Sequence, residues 1–445
     1  MQNRIPSVKT GGNSKRFSFY LHTLNIQTAL CSDNILKFVP STMQQCRFNF
    51  YMNKIFFILS ILSTGALFSQ HDLQKNLELT FATYNVSMES ENYFPRGTKG
   101  NSEQVLINEL ESGNNAQIRN IAQIIQTVRP DVILLNEFDY IKNPELGVKA
   151  FIKNYLKVGQ GGATAIDYPY YYHSTVNTGQ SSPYDLNNDG KSENFGSDAW
   201  GFGMYPGQYA MMILSKYPID VKAVRTFQHF KWKDMPGALL TKKPDGSDWY
   251  SKEVWSQFPL SSKSHWDVPV QIGNKTVHIL ASHPTPASFD GAEDRNGKRN
   301  HDEIRFWKDY ISDNSTSYIY DDKGVKGVLP SNSQFVLLGD QNASPVEGNA
   351  ISEGIKSLLA HPKINSDLIP ASKGGAEHSP QNPFGINHTA FWRMRADYVL
   401  PSKLGFKVIN SGVFWPAKGE PMSELVEKRE SSSDHRLVWV KVILE

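Results

Sequence analysis

"SQFVLLGDQNASP", residues 333–345, is an apolar run that ends abruptly at Gly339 and then sets an acid, Asp340, beside a carboxamide, Asn342. The run is short and bounded by turn residues, so it reads as a buried strand with a carboxylate and an amide at its mouth. Six other stretches share this form: "LELTFATYNV" (77–86), "DVILLNEFD" (131–139), "YAMMILSKYPI" (209–219), "KTVHILASHP" (275–284), "RADYVLPS" (395–402) and "HRLVWVKVIL" (435–444). Their mixture of continuous and alternating apolar patterns suits strands of a sheet sandwich covered by helices. Between the first two, "NAQIRNIAQIIQTVRP" places Ile118, Ile121, Ile125 and Val128 at helical spacing, and Pro130 stops it. In "NHDEIRFWKDYI", from 300 onward, Ile304, Trp307 and Ile311 share another helical face. The expected class is α/β, with two packed sheets flanked by helices.

The N-terminus is of a different kind. "MNKIFFILSILSTGALFSQ", from Met52, carries Lys54, an apolar run from Ile55 to Phe68 and then small Ser69. It is too short for a membrane span and has the flanks of a secretory signal peptide. We therefore expect a signal at 52–69, a spurious or unstructured extension at 1–51 and a single catalytic domain at 70–445. The mature chain would be secreted, to the periplasm or beyond, and would carry no integral membrane segment. Both cysteines, Cys31 and Cys46, precede the signal, so neither a disulfide framework nor thiolate chemistry is available after it. Seven of the 46 Lys/Arg and one of the 44 Asp/Glu also precede position 70, leaving 39 basic and 43 acidic side chains. A mature net charge of about −4 supplies no overall basic field for polyanions. No linker, repeat or second hydrophobic span marks a domain boundary, and we expect a monomer.

Five strands begin or end with polar groups in apolar settings: Asn85, Glu137, His283, the pair Asp340 and Asn342, and Asp434 with His435. Singly, each could be a turn former or a satisfied loop residue. Together they suffice for hydrolysis of a phosphoester, which needs hard oxygen ligands for a divalent ion, a base to activate water, and donors for the developing charge. Glu137 and Asp434 would supply metal oxygens, while the histidines and Asp340 would manage protons. Without thiolates or a His-x-x-x-His pair, magnesium, manganese or calcium is expected rather than zinc.

The ordered series "TYNV", "LLNEFD", "ILSKYPI", "ASHPTPA", "LLGDQNA", "RADYVL" and "SSDHRLV" resembles the endonuclease/exonuclease/phosphatase superfamily, the deoxyribonuclease I-like fold. The resemblance implies a four-layer α/β sandwich and metal-dependent hydrolysis of phosphodiesters or phosphomonoesters, with Mg2+ or Mn2+ as cofactor. It implies Glu137 as principal metal ligand with Asn85 and Asp434 nearby, and Asp340 and Asn342 orienting the attacking water. It further implies His435 as general base or transition-state donor, His283 as the opposite acid or phosphate donor, and Asp397 as the residue orienting one of them. The substrate would be nucleic acid, a lipid head group or a small phosphorylated molecule. A non-catalytic module of the same fold, binding a phosphorylated ligand or a partner protein, is the alternative.

Two insertions go further. "PTPASFDGAEDRNGKRNHDEIRFW" resembles one in a secreted bacterial subgroup; Arg295 and Arg299 are either a phosphate clamp or caps of the following helix. "SSPYDLNNDGKSENFGSD" places Asp185, Asn187, Asp189 and Glu193 as the first part of a structural calcium loop, although Gly196 stands where the bidentate Glu belongs; an Asx-rich turn is the other reading. Aromatic clusters at 167–174 and 227–237 could stack on bases or fill the core. Lys263 could face phosphate.

Overall fold

The computed structural model describes residues 77–94, 100, 102–313 and 318–445; the expected signal and the segment before it lie outside these. The strands are β1 (Leu77–Met88), β2 (Val132–Phe138), β3 (Tyr170–His173), β4 (Met211–Ser215), β5 (Arg225–Thr226), β6 (His265–Ile272), β7 (Lys275–Ser282), β8 (Gln334–Asp340), β9 (Asp397–Pro401), β10 (Phe406–Val413) and β11 (Val438–Leu444). One sheet runs β10-β11-β1-β2-β4-β3 and the other β5-β6-β7-β8-β9.

Side-chain alternation explains how the two sheets stack. Along β7 and β8, Val277, Ile279, Ala281, Val336 and Leu338 belong to the core shared with β1, β2 and β4. The intervening Leu280, Phe335 and Leu337 pack instead with Ile304 and Trp307 of the helix Arg295–Ile311. Both faces are thus buried, which is why β8 reads as a continuous apolar run. The helix Ala116–Val128 buries Ile118, Ile121, Ile124 and Ile125 and ends at Arg129 in left-handed geometry, one residue before Pro130. Helices therefore cover the outer faces, giving the four-layer α/β sandwich.

Topology gathers the polar strand ends. β1 with β2, and β7 with β8, are the parallel pairs, each joined by a helical crossover. Parallel neighbours finish on the same edge, so Asn85, Glu137, His283 and Asp340 arrive together. β9 runs antiparallel to β8, with Asp397 paired to Asp340 at its start, and β11 runs antiparallel to β1, so His435 just ahead of it reaches the same edge.

Gly339 fixes the close approach of β8 to β7. Its φ is 148°, and a Cβ there would lie 2.0 Å from the carbonyl oxygen of Ser282. Asn136 joins the sheets: its Oδ1 accepts from the Asp340 amide at 3.2 Å and its Nδ2 donates to Ser282 O at 3.5 Å. Strands β3, β5, β6 and β10 and the helices Gln104–Ser112, Lys252–Gln257, Glu353–Leu359 and Lys373–His378 add to the elements expected from sequence. Among the described residues, no helix is long and apolar enough to cross a membrane.

Candidate active site

Three non-glycine residues at this edge hold left-handed backbone: Ser87 at φ 47°, Glu137 at 56° and Asn342 at 49°. Such geometry is costly and persists where the surroundings enforce it. Between Asn85 and Met88 the β1–β2 register shifts, a bulge that re-aims side chains at the strand ends.

Asp340 is the hub. Its Oδ2 accepts from Asn85 Nδ2 at 3.2 Å and lies 3.4 Å from His283 Nε2 and 3.5 Å from His435 Nε2, while its Oδ1 accepts from the Asn342 amide at 2.9 Å. Behind His435, Nδ1 donates to Asp397 Oδ2 at 2.9 Å, and the Thr389 hydroxyl donates to the same oxygen at 2.7 Å. Asp397 thereby holds the His435 ring in place. Glu137 Oε1 stands 4.0 Å from His283 Nε2. Ser87 Oγ donates to Asp434 Oδ1 at 3.0 Å, and Arg429 approaches Asp434 Oδ2 at 3.4 Å. Asn85, His283, Asp340, Asp397 and His435 are buried, whereas Glu137, Asn342 and Asp434 are half-open at the mouth.

Burial and charge divide the protons. Burial opposes charge on His435, but the carboxylates of Asp397 and Asp340 overcome it and raise the imidazole to about 10, so it is protonated at neutral pH. Burial, joined by the positive charges of Lys263 and His435, holds His283 well below the usual range and leaves it neutral. Asp340 is pushed up to about 7, chiefly by burial, with His435 pulling it down and Asp397 pushing it up. Glu137 is raised by burial and then by the Asp434 carboxylate; His435, the Asn85 amide and Lys263 act the other way. Burial also resists charge on Asp434, yet His435, Arg429 and Ser87 hold it below the ordinary carboxylate range. An ionised Asp434 beside a Glu137 that resists ionisation is an oxygen pair whose repulsion a divalent cation would relieve, and Asn85 adds a third hard donor. By donor type, hard oxygens at the mouth suit a hard divalent cation.

Among the described residues, Asp340, Asp397 and His435 are the group of three acidic or imidazole side chains whose ligand atoms fall within 4.8 Å of one another. Asp397 Oδ2 and His435 Nδ1 already satisfy each other, so this trio reads as a proton relay as readily as an ion cage.

Lys263 has more to do than the sequence indicated. It lies just before β6, facing the chain after β7, and is 5% exposed. Burial lowers its ammonium, while Glu303, Glu137 and Asp340 support its charge. Glu303 is fixed beneath it by the amides of Ser262 and Thr285, each at 2.6 Å. No ion pair within 4.0 Å closes on this ammonium among the described residues. A lysine in a loop carries no signal of this; only the fold brings it beside Glu137.

The two arginines of the insertion are placed otherwise than a phosphate clamp requires. Arg299 is buried, and its guanidinium donates to the carbonyls of Leu260, Pro259 and Trp200. Arg295 pairs with Glu293 and lies over the Trp249 ring. Both serve the helix and its surroundings. In the other insertion, Asp185 accepts from the amides of Asp189 and Gly190, Asn187 Oδ1 also accepts from Asp189 N, and the Glu193 amide donates to Asp198. Asp185 and Asn187 thus tie the loop as Asx turns around the Asp189 and Gly190 amides.

The fold is a four-layer α/β sandwich with acids, amides and histidines gathered at one sheet edge. The chain belongs to the endonuclease/exonuclease/phosphatase family, whose model matches residues 82–435. A search of curated protein sequences finds no match. Similar solved structures include an endonuclease/exonuclease/phosphatase from Beutenbergia cavernae, with 15% identity, coverage of 82% of this chain and 72% of that one, and a TM-score of 0.43. Sphingomyelinase C from Streptomyces griseocarneus is 17% identical over 82% and 99%, with a TM-score of 0.40. The human nocturnin catalytic domain with bound sulfate is 12% identical over 83% and 96%, with a TM-score of 0.41.

Proposed function

We propose that this protein is a secreted, divalent-metal-dependent hydrolase of phosphoesters. The observation that supports it most is the convergence on Asp340 of Asn85, His283 and His435, with Asp397 behind His435 and Glu137 and Asp434 at the mouth. Glu137, Asn85 and Asp434 would hold Mg2+ or Mn2+. When bound, such an ion supplies Lewis-acid stabilisation of charge on the phosphoryl oxygens. Asp340 accepts the proton of the attacking water, and the Asn342 amide group helps place that water. The His435 imidazolium and the Lys263 ammonium donate to the phosphoryl oxygens. Neutral His283 contributes Nε2 as a further donor.

The test is turnover of a chromogenic phosphodiester, its monoester and plasmid DNA by the chain from Gln70, with magnesium, with calcium and with chelator. Chelator-sensitive hydrolysis lost in Glu137→Gln and His435→Ala is expected. Full activity in both variants overturns the reading, and a folded, metal-binding but inert protein turns it towards a non-catalytic binding module. Export is part of the same proposal: N-terminal sequencing of the extracellular protein should begin near Gln70, and a retained segment 52–69 would refute it.

A further inference from the structure

Trp392 is 46% exposed and stands directly over the site. Its ring meets the His435 imidazole at a centroid distance of 4.6 Å and an interplanar angle of 84°. The turn that carries it is rigidly tied. Arg393 N donates to Ala390 O at 3.0 Å, Arg393 takes the left-handed position at φ 69°, and Thr389 and Ala390 both donate to Met394 O. This is a tight turn closed by a left-handed residue. On its outer side, Phe391 N donates to Asp434 O and Arg436 N to Thr389 O, each at 2.7 Å. Beneath it, the Thr389 hydroxyl is fixed on Asp397. The same backbone that sets His435 therefore sets Trp392. The neighbouring Phe391 ring turns away to pack on His378, so Trp392 is the aromatic of this turn that covers the imidazole.

An apolar ring held half in water beside a buried imidazolium serves neither the core nor the fold. We infer that Trp392 is a substrate-contacting residue that determines specificity. Its open face stacks on a planar or ring-shaped group, aryl or nucleoside, esterified to the phosphate whose hydrolysis is proposed above. Alkyl phosphoesters without a cationic head group offer nothing for that face. The inference rests on the hydrolase reading, and the experiment separates the two.

Wild type, Trp392→Phe and Trp392→Ala, loaded with magnesium, are compared on a nucleoside aryl phosphodiester and on bis(glycero)phosphate, an alkyl phosphodiester with neither a ring nor a quaternary ammonium. Stacking of a base on an aromatic side chain contributes about 1–3 kcal/mol, so Trp392→Ala should raise KM for the ring-bearing ester about tenfold or more. KM for the alkyl ester should stay within about twofold, Trp392→Phe should retain most of the preference, and the pH profile should not move. Equal losses on both esters, or a shifted pH profile with no change in preference, would show that Trp392 acts through His435 alone and overturn the proposal. A second arm needs no turnover: AMP should quench tryptophan fluorescence in wild type and not in Trp392→Ala. If wild type hydrolyses neither ester, the hydrolase reading fails, and unchanged quenching in Trp392→Ala then sinks the stacking proposal as well.

Discussion

Asp397 illustrates how one carboxylate can matter without reaching the mouth of the site. Its Oδ2 is shared between His435 and Thr389. Asp397→Asn should leave the fold in place and lower kcat by about 10²-fold or more with KM little changed, in the range expected when proton handling is mis-set. Steady-state kinetics beside a thermal melt would check this, and unchanged kcat would remove Asp397 from the relay. A second prediction concerns the buried acids beside the site. Burial, then Asp139 and Glu137, push Glu89 up to about 8, and burial pushes Asp139 up to about 7 despite its bonds from Tyr205, Ser90 and Tyr209. Acids with raised folded-state values stabilise the fold fully below their unfolded value of roughly 4 and lose that contribution as pH rises through the folded values. His435, raised to about 10, stabilises below roughly 6.5 and loses its contribution through about 10. Both contributions fall as pH rises, while the depressed imidazoles of His283 and His265 act in the opposite sense below roughly 6.5. In chelator the Tm of wild type minus that of Glu89→Gln should therefore fall between pH 5 and pH 8, and a difference that climbs contradicts the assignment. Asp340 and His435 stand out in the sequence because their residue types recur at strand ends, whereas Asp397 enters only through the family resemblance. Lys263 is marked there only as a lysine that could face phosphate and Trp392 not at all, since their surroundings depend on what the fold brings opposite them.

At the scale of elements, the strands with long apolar runs were legible and the short ones were not. β8 lies between β7 and β9 with both faces covered, so its sequence is dominated by burial. β3 and β5 are edge strands of four and two residues, held by a single neighbour, and no periodicity can register over such lengths. The helix Arg295–Ile311 begins five residues before position 300, where the apolar pattern places its start, because its first turns bury Gly297, Arg299 and Asn300 against loops rather than against the sheet. Pattern alone could not assign those arginines. Gly339 is the sharpest test of the β7–β8 contact. Gly339→Ala should destabilise by about 3 kcal/mol, because the methyl group would collide with the Ser282 carbonyl and the backbone conformation disfavours any side chain. A urea midpoint equal to that of wild type would show that the strands can part at no cost.

For the whole molecule, the metal should link the site to global stability. An ion that binds only the folded chain stabilises it by about 2.7 kcal/mol at a hundred times its dissociation constant. Magnesium should therefore raise the Tm of wild type and leave that of Glu137→Gln unmoved; an equal rise in both would place the ion elsewhere. The described residues contain no cysteine, so the sandwich depends on its apolar interior and on the polar ties between its layers. Asn136 is one of these ties. It is the residue before Glu137, and its side chain holds the backbone of Asp340 from across the interface. This primary amide, with the Asn85–Asp340 bond beside it, thus acts as a gauge block between the two halves of the chemistry, and sliding one sheet over the other breaks both. Heat or pressure too mild to unfold the chain would then silence the proposed hydrolysis by loss of calibration, with every reactive group still present and only the spacing between them gone.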